Sequence, residues 1–204
     1  MIIDSASIKR PGAAVIVLAA GRGERYRQAG GASHKLDAPL AGVPVLEHVL
    51  KRVVKAGLPF HVVRPATDVL SDGMRADGMG DSIARGVAAT AEAAGWLILP
   101  GDLPLISSHT LKQVARSLLS HTVVLPRWQG RRGHPVGFGA ACQADLLALC
   151  GDVGASAVVR KYQRLGQLYS LAVNDPGIAM DIDTPADLQR AESMLRTSFS
   201  IDKT

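Results

Sequence analysis

A turn rich in glycine and arginine follows the first apolar run of the chain. Residues 17–27 read VLAAGRGERYR, with a lysine a few positions later. Glycines let backbone amides approach a ligand closely, and Arg22, Arg25 and Lys35 are donors suited to phosphate oxygens. The turn therefore predicts a site for a phosphate-bearing ligand. A tight strand-to-helix turn with solvated arginines is the alternative interpretation.

Acidic residues stand at two further strand ends. Asp102 ends an apolar strand in LPGDLP, and Asp181 and Asp183 lie in MDIDTPADL. A carboxylate at the carboxyl end of a buried strand is typical of a site for a hard cation such as Mg²⁺, which prefers oxygen ligands and bridges to substrate phosphates. One of the two later aspartates could complete such a site with Asp102, and the other could cap the final helix.

Three further polar turns are candidates for ligand contacts. The basic turn RRGHP (131–135) could contact an acidic acceptor substrate. The turn GMGDS (78–82) leads into a helix N-terminus, where a ring edge or a ribose could approach the backbone. GDVGAS (151–156) is interpreted as a loop with a helix cap, and the basic turn also has an interpretation as solvated surface.

Strand-length apolar runs alternate with helical patterns, which predicts an α/β fold with a mostly parallel sheet. In such sheets ligands bind beyond the carboxyl ends of the strands, where the turns described above lie. Strands are predicted at 13–20, 60–65, 96–102, 121–126, 135–138, 167–173 and 178–182. Helices are predicted at 44–56, 81–94 (capped by Asp81 or Ser82), 107–119 (capped by Ser107 or Ser108), 141–150, 154–164 and from Thr184-Pro185 onward.

Composition excludes several classes of protein. The 204 residues carry a net charge of +5 and are 47% hydrophobic, which fits one domain, predicted at 13–197 between tails at 1–12 and 198–204. No apolar stretch approaches the roughly 20 residues of a membrane span. Basic residues are not interleaved with aromatics as in single-strand binders. We expect a cytoplasmic protein with two free thiols, Cys142 and Cys150, that binds neither nucleic acid nor membrane.

Two common nucleotide-binding motifs are incomplete or missing. Tyr26 stands where G-x-G-x-x-G requires its third glycine, and G-x-x-x-x-G-K-[ST] does not occur. Six other segments, in order, resemble the MobA-like nucleotidyltransferases, and most closely the molybdenum cofactor cytidylyltransferases: LAAGRGERYR…HKL, GMGDSIARGV, LPGDLP, RRGHPVGF, GDVGA and DIDTPADL. The resemblance covers about residues 13–196.

The resemblance implies a fold and a reaction. The fold is a single-domain, three-layer α/β/α, GT-A-like (Rossmann-like) arrangement with a mostly parallel mixed sheet. A phosphate oxygen of the acceptor attacks the α-phosphorus of a nucleoside triphosphate held with Mg²⁺, and pyrophosphate leaves. In the cytidylyltransferase branch the nucleotide is CTP, the acceptor is molybdopterin carrying molybdenum, and a molybdoenzyme receives the product. The sequence LAAG favours CTP over GTP, since the guanylyltransferase branch has LAGG.

The resemblance also assigns roles to residues. Arg25 and Lys35 would neutralise the triphosphate, Asp102 would bind Mg²⁺, and Asp181 rather than Asp183 would be the second metal ligand. Arg132 and His134 would face the acceptor. The loop QAGGASH between Arg27 and Lys35 is longer than is usual in the family. The nucleotide would contact Leu18, Ala19, Ala20, Gly21, Gly23, Gly80 and Ser82.

Two alternatives stay open at this point. The enzyme could use another nucleoside triphosphate, or a sugar or isoprenoid phosphate as acceptor. It could also be a non-catalytic nucleotide-binding factor for the maturation of molybdoenzymes.

Overall fold

The computed structural model describes residues 12–65 and 78–201, with side chains through Thr197. Short 3₁₀ helices occur at Ala140–Cys142 and Pro176–Ala179. The strands are β1 (Ala14–Leu18), β2 (Pro39–Leu40), β3 (Val43–Pro44), β4 (Phe60–Val63), β5 (Gly95–Pro100), β6 (Val123–Trp128), β7 (Arg131–Arg132), β8 (Val136–Gly139) and β9 (Leu168–Ala172). The α-helices are α1 (Glu24–Gln28), α2 (Val45–Ala56), α3 (Met79–Ala88), α4 (Ser108–Ser117), α5 (Gln143–Leu147), α6 (Ser156–Arg164) and α7 (Pro185–Ile201).

A seven-stranded sheet is the centre of the fold. Its strands follow the order β4-β1-β5-β8-β6, and β6 also pairs with β7 and β9. The β1 strand is parallel to β4 and β5, and β9 is parallel to β6, whereas β8 is antiparallel to both of its neighbours. The parallel strands β4, β1, β5, β6 and β9 therefore end at one edge. This mixed, mostly parallel sheet confirms the predicted fold class.

Helices cover both faces of the sheet and complete three layers. Because successive strand residues point to opposite faces, Val15 and Val17 pack with α2, α4 and α7, whereas Ile16 packs with α3, α5 and α6. All three side chains are fully buried. The result is one domain in which β1 and β5 are packed on both faces.

The predicted elements agree with the structure except in a few places. The strand predicted at 178–182 is wrong, because Asp175 caps a 3₁₀ helix through Gly177 N (3.0 Å) and the chain continues without strand pairing. The helix predicted at 141–150 is broken into a 3₁₀ turn and the short α5. The helix predicted at 81–94 ends as α3 at Ala88.

Helix caps were predicted with mixed success. Ser107 caps α4 by accepting a hydrogen bond from Thr110 N at 3.1 Å, as predicted. The caps predicted for α3 are wrong, because the helix starts earlier. Gly78 is its N-cap, and Asp81 lies in the first turn, where it accepts a bond from Gly78 N at 2.9 Å.

The predicted domain limits stay predictions. Residues 1–11 of the predicted N-terminal tail lie outside the described residues, and the α7 backbone continues to Ile201, within the predicted C-terminal tail. Within 12–65 and 78–201, no helix has the length and apolar character needed to cross a membrane.

Candidate functional site

A cavity of about 660 Å³ lies at the sheet edge where β1 and β5 end. This volume is in the range of ordinary small-molecule sites. The cavity gathers side chains from segments distant in the sequence, as expected for a ligand site at the carboxyl ends of parallel strands. The predicted site residues that line it are Leu18, Ala20, Gly21, Gly23, Arg25, Lys35, Ser82 and Asp102.

Five other predicted site residues do not line this cavity. Ala19 packs into the hydrophobic core. Gly80 faces the backbone of residues 150–153. Asp181 and Arg132 are exposed, and His134 is largely enclosed elsewhere. The roles predicted for these five stay predictions, and the geometry gives them no contact with the cavity.

A chain of ion pairs crosses one side of the cavity. Lys35 Nζ lies 2.6 Å from Asp102 Oδ2 and 2.8 Å from Asp183 Oδ1, and Arg25 Nη1 lies 3.0 Å from Asp183 Oδ2. The side chains of Lys35 and Asp102 are only 14% and 15% exposed. We call Arg25, Lys35, Asp102 and Asp183 the charged wall.

The charged wall shifts the pKa of two of its members. Burial lowers the pKa of Lys35, but Asp102 and Asp183 outweigh it and raise the pKa above its ordinary value. The hydrogen bond from Lys35 holds the pKa of Asp183 below its ordinary value, with a smaller contribution from Arg25. At neutral pH both side chains are therefore charged, and the single ammonium group of Lys35 is shared between two carboxyl groups.

The charge balance of the cavity predicts that an anionic ligand needs a partner cation. The lining side chains are three cations (Arg22, Arg25, Lys35) and four carboxylates (Glu24, Asp102, Asp152, Asp183). A triphosphate entering alone would meet a surplus of negative charge, and like charges at close range repel strongly in a partly buried site.

Asp102 retains one unused oxygen. Its buried Oδ1 has no hydrogen-bond partner among the described residues, and a buried acceptor without a partner is costly. The described residues contain no group of three or more His, Cys, Asp or Glu side chains that could hold a metal ion. The unused oxygen of Asp102 and the carboxylate of Asp183 in the same cavity fit a cation of the Mg²⁺ type, which takes one or two carboxylates and completes its shell with substrate phosphates and water.

The turn after β1 is held open by local contacts. Gly23 has φ 64°, a left-handed conformation that favours glycine, and it is the N-cap residue before α1. His34 Nδ1 accepts a bond from Leu36 N at 3.3 Å, so Nε2 donates to the Gly21 carbonyl at 2.7 Å. The histidine thereby ties the turn to the segment that carries Lys35.

Tyr26, which breaks the dinucleotide fingerprint, anchors this loop. Its ring is 5% exposed and belongs to the core beside α2. Gly31 lies directly against that ring, and Gly31 N donates to Tyr26 O at 3.0 Å. The long loop between Arg27 and Lys35 therefore folds back over Tyr26, and Lys35 still reaches Asp102.

We expect Gly31→Ala to destabilise the protein by about 1–3 kcal/mol, the usual cost of overpacking. The added methyl group would overlap the Tyr26 ring and backbone. Urea unfolding measures the loss. Gly21→Ala is the matched control, since a methyl group there meets nothing within 4 Å. Equal stability of the two variants would contradict the packing described for Tyr26.

The start of α7 positions Asp183. Thr184 and Asp187 form a reciprocal cap, with Thr184 N donating to Asp187 Oδ2 at 2.7 Å and Asp187 N donating to Thr184 Oγ1 at 3.2 Å. Asp187 Oδ2 also accepts from Asp183 N at 3.2 Å. The helix cap is thus Thr184 and not one of the two earlier aspartates, and it is Asp183 rather than Asp181 that reaches the cavity.

His134 is half-buried beside the site rather than inside it. Its backbone N donates to Ile178 O at 2.8 Å, and its Nδ1 is buried without a partner among the described residues. Burial lowers the pKa of His134 below 6.5, although Asp102 and Asp181 act in the opposite direction. A neutral ring is therefore the form present at neutral pH.

We expect His134→Gln to reduce the acid sensitivity of the fold. Because the folded-state pKa of His134 is lowered, its contribution is fully present above the unfolded pKa of 6.5 and is lost as pH falls through the folded pKa. One such proton changes the free energy of unfolding by at most about 1.4 kcal/mol per pH unit. Urea unfolding at neutral and mildly acidic pH should show a smaller loss in the variant than in the wild type. Parallel losses would contradict burial of a neutral ring.

Several site residues carry little signal in the sequence. His34 acts through contacts with residues up to 13 positions away, and Asp187 acts through a helix cap. Asp152 lines the cavity although its motif, GDVGAS, is interpreted from sequence as a loop and cap. The sequence signal for Asp152 is its place after Gly151 and shortly before a helix. The segment that it packs beside, at the start of α3, is distant in the chain.

The chain matches known proteins in sequence. The sequence pattern of the MobA-like NTP transferase domain matches residues 15–165. The bifunctional protein GlmU of Leifsonia xyli subsp. xyli is 35% identical over 118 residues, which are 50% of this chain and 24% of that protein. GlmU of Xylella fastidiosa is 30% identical over 139 residues, which are 61% of this chain and 29% of that protein. The chain thus spans about a quarter of the length of these relatives.

Solved structures share the fold over most of the chain. A nucleotidyl transferase from Methanothermobacter (Mth528) is 26% identical, with a TM-score of 0.71 over 91% of this chain and 99% of that one. Rv0371c of Mycobacterium tuberculosis H37Rv is 21% identical, with a TM-score of 0.70 over 91% and 100% of the two chains. Since the family pattern covers well over half of the sequence, the chain belongs to the MobA-like NTP transferase family and is a nucleotidyltransferase.

Proposed function

We propose that the protein transfers CMP from CTP to the phosphate of molybdopterin carrying molybdenum and releases pyrophosphate. The observation that carries the proposal is the charged wall at the ends of β1 and β5, where Lys35 joins Asp102 and Asp183 beside the glycine-rich turn. Cations for phosphate oxygens and carboxylates for a metal thus occupy one cavity.

The reaction needs positioning and charge neutralisation more than covalent work by the protein. An acceptor phosphate oxygen forms a bond to the α-phosphorus, and the bond from that phosphorus to the oxygen bridging to the β-phosphorus breaks. The bonding electron pair leaves with pyrophosphate. Arg22 and Arg25 would bind the outer phosphates, and Lys35 would neutralise charge on the α-phosphate. The amides of the turn at 20–23 would approach the nucleotide.

Asp102 and Asp183 would hold the divalent cation, with Mg²⁺ as the proposed ion. When bound, such a cation orients the phosphates and stabilises charge on the leaving pyrophosphate. The unused Asp102 Oδ1 and the charge balance of the cavity support this role. A structure of Rv0371c in complex with manganese, 22% identical to this chain, also supports a divalent cation. Our proposal replaces Asp181 by Asp183 as second ligand, since only Asp183 meets Lys35.

The acceptor side of the proposal rests on the resemblance more than on the cavity. Arg132 is exposed on β7, and His134 is half-buried, close enough to Asp102 to feel its charge. They would act on an acceptor at the rim beside the cavity. A molybdoenzyme as the recipient of the product and a cytoplasmic location belong to the same proposal. The free thiols of Cys142 and Cys150 are compatible with a reducing compartment.

A matrix of pyrophosphate-release assays tests the function. CTP, GTP, ATP and UTP are each combined with molybdopterin carrying molybdenum, with sugar phosphates and with isoprenoid phosphates, in the presence and absence of Mg²⁺. We expect release with CTP and the molybdenum cofactor, and only with Mg²⁺ present. Release with another pair would replace the proposed substrates. Tight CTP binding without release from any pair would favour a non-catalytic maturation factor.

A further inference from the structure

Another part of the cavity lining is built from two interlocked glycine segments. Gly78 is packed so closely against the Gly151 backbone that a side chain there would overlap it. A methyl group on Gly80 would lie 2.7 Å from Val153 O, and Gly80 N donates to Gly151 O at 2.8 Å. The start of α3 and residues 150–154 therefore form one surface, which we call the glycine wall.

Asp81 fastens the two segments together. A single oxygen, Oδ2, accepts bonds from Gly78 N and from Gly151 N, both at 2.9 Å. Asp81 itself does not line the cavity, but Gly78, Met79 and Ser82 from the same turn do. Asp81 is therefore placed to position the wall rather than to touch a ligand.

Asp152 is the cavity carboxylate that lacks a cationic partner. Asp102 and Asp183 bind Lys35, and Glu24 lies 3.5 Å from Arg22. No ion pair or hydrogen bond among the described residues involves the side chain of Asp152, which is exposed to the cavity. A carboxylate in this state can only accept hydrogen bonds.

The two walls are continuous with the hydrophobic cores on different faces of the sheet. On the charged wall, Lys35 is followed by Leu36, which packs in the core beside α2. On the glycine wall, Ser82 is followed by Ile83, which packs in the core on the α3 side. The phosphates of a nucleotide would bind to the cations of the charged wall, because Asp152 would repel them. The uncharged nucleoside is then the part that faces the glycine wall.

We propose that Asp152 accepts a hydrogen bond from a donor on the nucleoside, either a ribose hydroxyl or an exocyclic amino group of the base, and that Asp81 positions it. This inference rests on the proposed nucleotide site and adds a residue that selects for a donor group. It gives GDVGAS a role in binding instead of one in capping alone.

Binding of non-hydrolysable α,β-methylene nucleotides to the full chain, measured by calorimetry with Mg²⁺, tests the proposal without an acceptor. The analogues are those of CTP, UTP and 2′- and 3′-deoxy-CTP. Since a bond to a charged group is worth about 1.5–3 kcal/mol, Asp152→Ala should bind the CTP analogue about 10- to 100-fold more weakly. One of the other analogues, the one that lacks the donor group, should bind the wild type weakly. Its affinity should be the same for Asp152→Ala as for the wild type. That analogue distinguishes the base from the ribose.

The control for Asp152 is Asp37→Ala, which removes an exposed carboxylate that does not line the cavity. Unchanged binding of all analogues by Asp152→Ala would overturn the inference and leave the proposed function standing. Failure of every analogue to bind wild type would overturn the nucleotide site itself, and both proposals with it.

The positioning role of Asp81 is tested by a separate pair of variants. Because both bonds use one oxygen, the amide oxygen of Asp81→Asn can accept both, whereas Asp81→Ala loses both. We expect Asp81→Ala to weaken binding of the CTP analogue about tenfold and to lose the discrimination against the donor-lacking analogue, and Asp81→Asn to restore both. If Asp81→Ala is folded and still discriminates as wild type does, the positioning role is overturned.

Discussion

Asp102→Asn is expected to lower kcat by about 10³-fold, the order seen when a principal electrostatic contribution to a transition state is removed. The amide has nearly the same shape, so the fold and the bond from Lys35 can persist. The change removes the negative charge and leaves the unused Oδ1 position a poorer ligand for a divalent cation. Pyrophosphate release under saturating CTP, acceptor and Mg²⁺ measures the effect.

Asp145→Asn is the matched control for this variant. Asp145 pairs with Lys161 at 2.7 Å on the other helical layer and does not line the cavity. We expect its kcat to stay within about twofold, since surface pairs contribute little. Comparable activity of Asp102→Asn and Asp145→Asn would remove Asp102 from the reaction.

Lys35→Met is expected to change metal binding and turnover in opposite directions. Without the ammonium group, Asp102 and Asp183 face one another with only Arg25 left to neutralise them. We therefore expect the free protein to bind Mn²⁺ at least about tenfold more tightly, about 1.4 kcal/mol. The kcat should fall by about 10²- to 10³-fold because charge on the α-phosphate is no longer neutralised. Calorimetry with Mn²⁺ and the release assay measure the two effects.

The free energy of unfolding of Lys35→Met should also depend on whether the divalent cation is present. Removing Lys35 leaves a largely buried carboxylate without its partner, which we expect to cost about 1–3 kcal/mol in metal-free buffer. Mn²⁺ should restore much of that loss by binding the folded state. Lys51→Met, which breaks an exposed pair with Glu47, should show neither response. Weaker Mn²⁺ binding by Lys35→Met would argue against a metal held by Asp102 and Asp183.

Much of the site followed from the order of elements. Leu18 and Asp102 could be placed together because buried parallel strands bring their carboxyl ends to one edge. Lys35 could be proposed as a phosphate donor from its type and position, but its approach to Asp102 could not be predicted, since it depends on a loop folded over Tyr26. No periodicity in that loop predicts the contact of Gly31 with the ring.

The choice between Asp181 and Asp183 shows where local patterns fail. Residues two apart share a face of a strand, so a strand could not have separated them, and the segment is not a strand. The cap formed by Thr184 and Asp187 decides which carboxylate turns toward Lys35. The link between Asp81 and the segment of Asp152 depends on tertiary packing in the same way, because Asp81 accepts a hydrogen bond from Gly151 N, 70 positions away.

The bonds of Asp183 link the two ends of the folded chain. Arg25 and Asp183 are separated by 158 positions, and Lys35 and Asp183 by 148. Contacts of such separation are gained only when a long loop closes. A nascent chain that has produced Asp102 and Lys35 therefore still lacks the second carboxylate. Metal-dependent turnover should consequently arise only after the segment leading into α7 has docked. A ligand bound to Arg25, Lys35 and Asp183 should also stabilise the contact between the beginning and the end of the domain.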